Sequence, residues 1–261
     1  MIVAERRKVI KELLLKNKSV KVSALVELLN VSEETIRRDL LQLEKEGIAE
    51  KNYGGAILAE DADNVPVILP VDQRKLQYSL EKDLIGRAAA KLVKEGQIII
   101  LDAGSTTWYI AKNLPLNANL TVITNAINIA EECSKDETDS IYLLGGKLRR
   151  NSMSLVGPQV ETELKKYNAD FVFLGTSGIS LRQGFTSSDL YEAEIKRGMV
   201  SAGQKIVVVA DHSKLEKAGL TSFCNFEEVD IFITTDLADK EILQEIEKSG
   251  VTVIVEPLSE K

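Results

Sequence analysis

Seven short β-rich runs, at residues 97–101, 120–124, 141–144, 171–174, 205–210, 231–234 and 251–255, recur along the last two thirds of this chain. Helical pattern falls between most of them, at 125–133, 158–167, 190–202 and 238–249, and an earlier helix at 80–94 stops at Gly96. Such alternation leaves few folds open, because neighbouring parallel strands need a crossover of a dozen residues or more and a helix supplies it. An α/β domain with a mostly parallel sheet, covered on both faces, is the expectation. The chain carries no G-x-G-x-x-G fingerprint and no P-loop, which removes the two commonest nucleotide-binding versions of that fold.

In an open parallel sheet, ligands collect beyond the carboxyl ends of the strands. There the chain places Asp102, Gly104, Ser105, Thr106 and Thr107, then Asn125, then Gly145, Gly146 and Lys147, then Ser177 and Gly178, then Asp211 and Lys214. Glycine lets a backbone approach a ligand, and free N–H groups at a helix start favour an anion, so residues 104–107 read as a phosphate site. Lys147, Lys196 and Lys214 are candidate counter-charges. Each loop taken alone is also an ordinary turn; the weight lies in their joint placement.

Residues 31–56 add a second constraint. With Ile36 buried, Leu40 and Leu43 share its side of a helix, while Glu34, Arg38 and Lys45 fall opposite, flanked by Thr35 and Arg37. Ser32 stands at the N-cap position and Gly47 where a glycine would end the helix. Upstream, residues 22–29 form a second helix with Leu25, Leu28 and Leu29 on its apolar side. Residues 5–16 form a third, with a stripe of Val9, Ile10, Leu13 and Leu14. Residues 51–56 read as a wing hairpin around Gly54 and Gly55. Two helices, a short turn and a capped basic helix make a helix-turn-helix, whose last helix reads the major groove. Glu34, Thr35, Arg37 and Arg38 are the candidate base readers. Ser23, Ser32, Lys51 and Tyr53 are candidate phosphate or wing contacts, with Gly54 and Gly55 forming the bend. The expected layout is a small all-α winged helix-turn-helix domain over 1–58, a linker over 59–78 marked by Glu60, Asp61, Asp63, Pro66 and Pro70, and an α/β domain over 79–261.

The net charge of −7 argues against nucleic acid only until it is divided. Residues 1–60 hold 11 basic and 10 acidic side chains, a balance of +1, and the remainder carries −8. A near-neutral module needs its cations on one face and two modules on one duplex, since affinity scales with the phosphates neutralised. The longest apolar run is five residues, 206–210, against the roughly 20 of a membrane span. Cys133 and Cys224 are isolated and read as reduced thiols in a cytoplasmic protein. His212 is the only histidine, so a histidine-rich zinc site cannot form and two lone cysteines cannot complete a thiolate one; a triad would have to use His212, whose neighbours Asp211 and Ser213 are too close along the chain to act as separate members. No metal or cofactor is expected, and His212 reads as a structural bond at a pocket rim.

Thr35-Ile36-Arg37-Arg38-Asp39-Leu40, Leu43, Gly47 and Gly54-Gly55-Ala56 resemble the reading motif and wing of the DeoR-type family of bacterial transcription regulators, with Tyr53 where the family has histidine. The resemblance extends over nearly the whole chain. It takes in the loop 102–107, the segment 175–179, Glu192-Ala193 with Lys196-Arg197, and the strand end 210–214. It implies an effector domain related to the ribose-5-phosphate isomerase fold and a phosphorylated sugar metabolite as inducer or corepressor. In that reading Asp102 accepts ligand hydroxyls, Gly104, Ser105, Thr106 and Thr107 hold the phosphate, and Asn125, Glu192, Lys196, Asp211 and Lys214 line the remainder. The expectation is a cytoplasmic repressor of a sugar-metabolism operon, a homo-oligomer presenting paired readers to operator DNA. The alternative is a sugar-phosphate isomerase using Asp102, Glu192 or Asp211 as base. Against it, the loop that would match the isomerase acids carries Thr176 and Ser177.

Overall fold

The structure, a computed structural model, describes residues 3–17, 19–45, 48–52, 54–58 and 69–258. The chain divides into two compact units, Met1–Val67 and Ile68–Lys261. Gly47, Tyr53 and residues 59–68 of the expected linker 59–78 lie outside the described residues, as do the side chains of Lys45 and Lys51.

The first unit runs α1 (Val3–Asn17), β1 (Ser19–Lys21), α2 (Val22–Leu29), α3 (Glu33–Lys45), β2 (Ala49–Asn52) and β3 (Gly55–Leu58). Ile10 and Leu14 of α1, Leu25 and Leu29 of α2, and Ile36, Leu40 and Leu43 of α3 share one core, as their helical spacing dictates. Leu28 departs from the expectation and is 61% exposed. The unit is not all helical either: β1 pairs antiparallel with β3, giving the sheet order β1-β3-β2. Three residues, Ser19, Val20 and Lys21, are too few to show a period. Asn30, in the left-handed region at φ 50°, ends α2. The Thr35 amide donates to the Ser32 hydroxyl at 3.3 Å, which caps α3, and the Ile48 amide returns to the Leu43 carbonyl at 2.9 Å and closes it.

In the second unit α4 (Val71–Leu76) and α5 (Ser79–Ala90) precede β4 (Ile98–Leu101), α6 (Ser105–Lys112), β5 (Thr121–Thr124), α7 (Ile127–Cys133) and β6 (Ser140–Leu143). A hairpin of β7 (Lys147–Arg149) and β8 (Ser154–Val156) leads to α8 (Pro158–Leu164), β9 (Ala169–Gly175), β10 (Gly178–Ser180), β11 (Gly184–Ser187), α9 (Leu190–Ser201) and β12 (Gly203–Val209). β13 (Thr221–Cys224), β14 (Ile231–Thr235), α10 (Lys240–Lys248) and β15 (Thr252–Glu256) complete it. The seven runs read from the sequence are the seven strands of one parallel sheet, in the order β15-β14-β12-β9-β4-β5-β6. Alternate residues feed opposite layers. Ile206 and Val208 of β12 pack with Leu164, Met199 and Ile246 of α8, α9 and α10. Val207 and Val209 pack with Ile85, Ile110 and Ile129 of α5, α6 and α7.

The order along the sheet fixes the place of a site. The chain climbs from β4 through β5 to β6, then returns to lay β9 against the other side of β4. By the rule for open parallel sheets, the ligand crevice lies beyond the carboxyl ends of β4 and β9, where the winding reverses. Asp102 follows β4 and Gly175 ends β9.

Candidate functional site

The Asp102 carboxylate, 3% exposed, accepts hydrogen bonds from the Lys196 ammonium on α9 and from the Gly175 amide at 3.1 Å. Lys196 also donates to the Gly175 carbonyl at 2.9 Å. Burial pushes the Asp102 carboxyl above the ordinary carboxylate range, against the pull of Lys196. Beside this pair opens α6, with extended Gly104 as its N-cap and no side chain capping it, so its first amides keep their donors for something else. Ser105, Thr106 and Thr107 are buried there. A Cβ on Gly104 would lie 2.9 Å from the Thr107 hydroxyl, which is why this cap has none.

Cations gather around these residues. Arg149, on β7, pairs with Asp189 and lies 3.7 Å from the Glu192 carboxylate. Arg74, on α4, is attracted by Glu192 and Asp102 and repelled by Arg149, and burial holds its guanidinium below the usual range. Lys82, on α5, is 3.8 Å from Asp211 and is pushed down to about 8, first by burial. Burial also lowers Lys214, against the attraction of Asp211. Four buried oxygens of this neighbourhood have no hydrogen-bond partner: Thr107 Oγ1, Asn125 Oδ1, Glu192 Oε1 and Asp211 Oδ2. Buried polar atoms are satisfied in almost all folded proteins. A crevice with several that are not, between free amides and cations, is chemically incomplete and suited to a ligand with an anion at one end and hydroxyls at the other.

On the first unit, α3 and the wing form a concavity of about 320 Å³ lined by Glu34, Arg37, Arg38, Leu41 and Asn52 among others. Arg37 bonds Glu33 at 2.5 Å and Arg38 bonds Glu34 at 2.6 Å, both pairs exposed and spaced i,i+4. Such pairs are worth about 0.3–0.5 kcal/mol, so phosphates or base edges displace them at small cost. The helix is aimed by Asp39, buried on its inner side, which accepts from Arg6 Nε at 2.5 Å and Arg7 Nε at 2.8 Å of α1.

A model of the DeoR-like helix-turn-helix domain matches residues 6–62 and one of the DeoR C terminal sensor domain matches residues 77–236. The chain belongs to the DeoR family. The transcriptional regulator GlpR of Haloferax volcanii is 35% identical over 254 residues, 97% of this chain and 98% of that one. The repressor GlcR of Bacillus subtilis is 35% identical over 252 residues, covering 96% and 95%. The repressor AccR of Agrobacterium fabrum is 32% identical over 259 residues, covering 98% and 94%. Among solved structures, ribose 5-phosphate isomerase A of Methanocaldococcus jannaschii overlays 53% of this chain and 54% of its own at 18% identity and a TM-score of 0.38. Membership favours the transcriptional regulator over the isomerase alternative.

Within the DeoR sensor domain the structure brings together Asp102, Gly104, Ser105, Thr106, Thr107, Asn125, Glu192, Lys196, Asp211 and Lys214 of the residues read from the sequence. It does not bring in Gly145, Gly146 or Lys147, which are exposed; the two glycines line a separate concavity with Tyr142 and Tyr167. Gly178 packs instead of binding, since its Cβ would lie 2.4 Å from the Lys217 carbonyl, and the Ser177 hydroxyl meets that of Ser188 at 3.2 Å. Thr176 lies 2.8 Å from the Gly178 carbonyl and 2.9 Å from that of Thr186, a structural position where the isomerase alternative needed an acid. His212 makes its expected structural bond, Nδ1 lying 2.8 Å from Glu81. Both cysteines are free and buried.

Sequence reading missed Arg74, Lys82 and Arg149. Arg74 sits in the span read as linker, and Arg149 stands two residues past the candidate Lys147 with no motif of its own.

In the DeoR helix-turn-helix, Ser23, Ser32, Glu34, Arg37 and Arg38 are exposed and Thr35 half-buried. Gly54, at φ +77°, makes the wing turn, and Gly55 cannot carry a side chain because its Cβ would sit 2.0 Å from the Val20 carbonyl oxygen. Both glycines have a steric reason for being there. No helix among the described residues is long and apolar enough to cross a membrane.

Proposed function

We propose that this DeoR-family regulator is a repressor whose operator affinity is set by a phosphorylated sugar held at the switch point of its sensor sheet. The observation that carries the reading is the incomplete crevice. The open amides of α6, with Arg74, Arg149 and Lys214, suit a phosphate, and the carboxylates of Asp102, Glu192 and Asp211 suit hydroxyl donors. Repression is supported by the names of the relatives GlcR and AccR. The reader is residues 1–58, with Glu34, Thr35, Arg37 and Arg38 toward the major groove and Ser23, Ser32, Lys51 and Tyr53 on phosphates or in the wing. The sensor is residues 79–261 with a connector before it. The protein acts in the cytoplasm as a homo-oligomer, because one small module neutralises too few phosphates to bind tightly.

The mechanism is linkage. The sugar phosphate favours one arrangement of paired readers and the operator another, so each lowers affinity for the other. Genomic fragments retained by the full-length protein supply the operator, and its affinity is then titrated at several concentrations of a panel of sugar phosphates. At least one should shift it; an operator affinity that none of the compounds moves sinks the proposal. Arg38→Ala should weaken operator binding by about 1–3 kcal/mol and leave sugar-phosphate binding unchanged.

A further inference from the structure

Arg74 differs from the other cations of the crevice in the element that carries it. Its Nε donates to the Leu69 carbonyl at 3.0 Å, and among the described residues its two terminal nitrogens meet no acceptor. Lys214 likewise makes no ion pair among the described residues. Arg74 and Lys214 are both half-buried, and the charge of Arg74 makes that of Lys214 less favourable. An anion bound between them would remove that repulsion, and none of the nearby carboxylates is close enough to Arg74 to do so.

The helix α4 is held at both ends and along one flank by the elements that surround the crevice. At its start the Val71 amide donates to the Asn151 carbonyl at 2.7 Å, in the tip of the hairpin that carries Arg149. At its end the Lys82 ammonium donates to the carbonyls of Arg74 at 2.6 Å and Gln77 at 2.7 Å, while facing the unsatisfied oxygen of Asp211. Along its flank the Lys75 ammonium lies 4.3 Å from the centre of the Trp108 ring, and the Tyr109 hydroxyl donates to the Lys75 carbonyl at 3.2 Å. Trp108 and Tyr109 belong to α6, the helix whose first amides face the crevice. Going back along the chain from α4, residues 59–68 lead to the DNA-binding unit.

We propose that Arg74 is a direct ligand of the effector's anionic group, supplied by the helix from which the chain runs back to the DNA-binding unit, so that the connector itself senses occupancy. This rests on the reading of the crevice as a site for a phosphorylated sugar. It adds which residue grips the phosphate and how the grip reaches the reader. A ligand shifts an equilibrium only through contacts that differ between two states. A phosphate bridging Arg74, Lys214 and the α6 amides makes such a contact, since it is complete only when α4 is seated on the sensor. The free protein has α4 held at its start by Asn151 and at its end by Lys82, but with the terminal nitrogens of Arg74 unsatisfied.

The test uses the full-length protein and two probes, inorganic phosphate and the sugar-phosphate panel with the matching unphosphorylated sugars. Calorimetric titration of the wild type should detect phosphate, and Arg74→Gln should weaken its binding about 10- to 100-fold, the range of a lost charge-assisted hydrogen bond. Arg74→Lys should recover part of the loss. Unphosphorylated sugars should bind wild type and Arg74→Gln alike, which a merely structural arginine would not allow. Amide exchange in residues 71–76 should slow when phosphate saturates the wild type and stay unchanged in Arg74→Gln, while exchange in α6 slows in both. Equal phosphate affinity in wild type and Arg74→Gln, or no phosphate binding by either, overturns the inference whatever the sugars do. Phosphate binding that depends on Arg74, with no sugar phosphate bound, leaves this inference standing and removes the sugar-phosphate reading.

Discussion

Replacing Asp39 by asparagine removes one charge from the inner side of α3 and nothing from its volume. The carboxylate is 1% exposed and accepts from Arg6 and Arg7 of α1. Removing one member of a buried ion pair costs about 3–5 kcal/mol, because the other charge stays buried without a partner. Two features of this site pull the figure down. The Arg7 side chain is 36% exposed and can turn to solvent, and the asparagine carbonyl still accepts one bond from Arg6. About 2–3 kcal/mol remains, or roughly a 30- to 150-fold change in the opening equilibrium at 1.36 kcal/mol per decade. Amide exchange in the full chain reads this directly, with the sensor peptides as an internal control. Peptides of α1 and α3 should exchange faster by that factor and sensor peptides at the wild-type rate. Operator affinity should fall with them, since the reader loses its anchor. The double variant Arg6→Met with Asp39→Leu replaces the buried charges by apolar groups and should lie within about 1 kcal/mol of wild type. Unchanged α3 protection in Asp39→Asn, or an equal loss in the double variant, would refute the account of Asp39 as a buried electrostatic anchor.

Two further outcomes follow from the sensor. Burial, against the pull of Asp211, sets Lys82 at about 8 instead of 10.5, so unfolding takes up a proton between those values and stability rises with pH across the window. The rise amounts to up to ~3 kcal/mol at 1.36 kcal/mol per pKa unit. The difference in urea stability between wild type and Lys82→Met should grow by that order from pH ~7 to pH ~10, and a flat difference would mean a solvated ammonium. Gly86 lets α5 lie on α6, since a Cβ there would be 2.6 Å from the Tyr109 carbonyl atoms. Gly86→Ala should therefore lower stability by about 1–2 kcal/mol despite the better helix propensity of alanine, or roughly 2–8 °C in Tm. A raised Tm, the result propensity alone gives, would contradict that close approach.

The sheet was legible because its strands are buried on both faces. Ile98 to Leu101, between Gln97 and Asp102, and the run from Ile206 to Ala210, between Lys205 and Asp211, are unbroken apolar stretches, a pattern that local hydrophobicity alone imposes. Helix α3 was legible for the complementary reason, since Ile36, Leu40 and Leu43 repeat at the helical period. Elements without a period were not. β1, β7, β8 and β10 have three residues each, and β11 pairs with β13 across an intervening helix and strand. The six residues of α4 follow two prolines in an acidic stretch, which composition marks as linker and only packing against α6 makes a helix. Leu28 lies within the helical period of α2 yet points to solvent, because periodicity names a face and not what covers it.

The candidate site divides in the same way. Glycine, serine, threonine and aspartate after β4 announce themselves, because few residue types allow a backbone to turn and present its amides. Arg74, Lys82 and Arg149 carry no local mark, being three among 33 basic residues. They join Asp102, Glu192 and Asp211 only because β9 returns beside β4 and the β7–β8 hairpin tip reaches α4. Sequence thus determined the elements and the turn chemistry at their ends, since those depend on neighbours a few residues apart. Tertiary structure decided which charges meet, since strand order and buried ion pairs depend on residues that are distant in the chain and close in space.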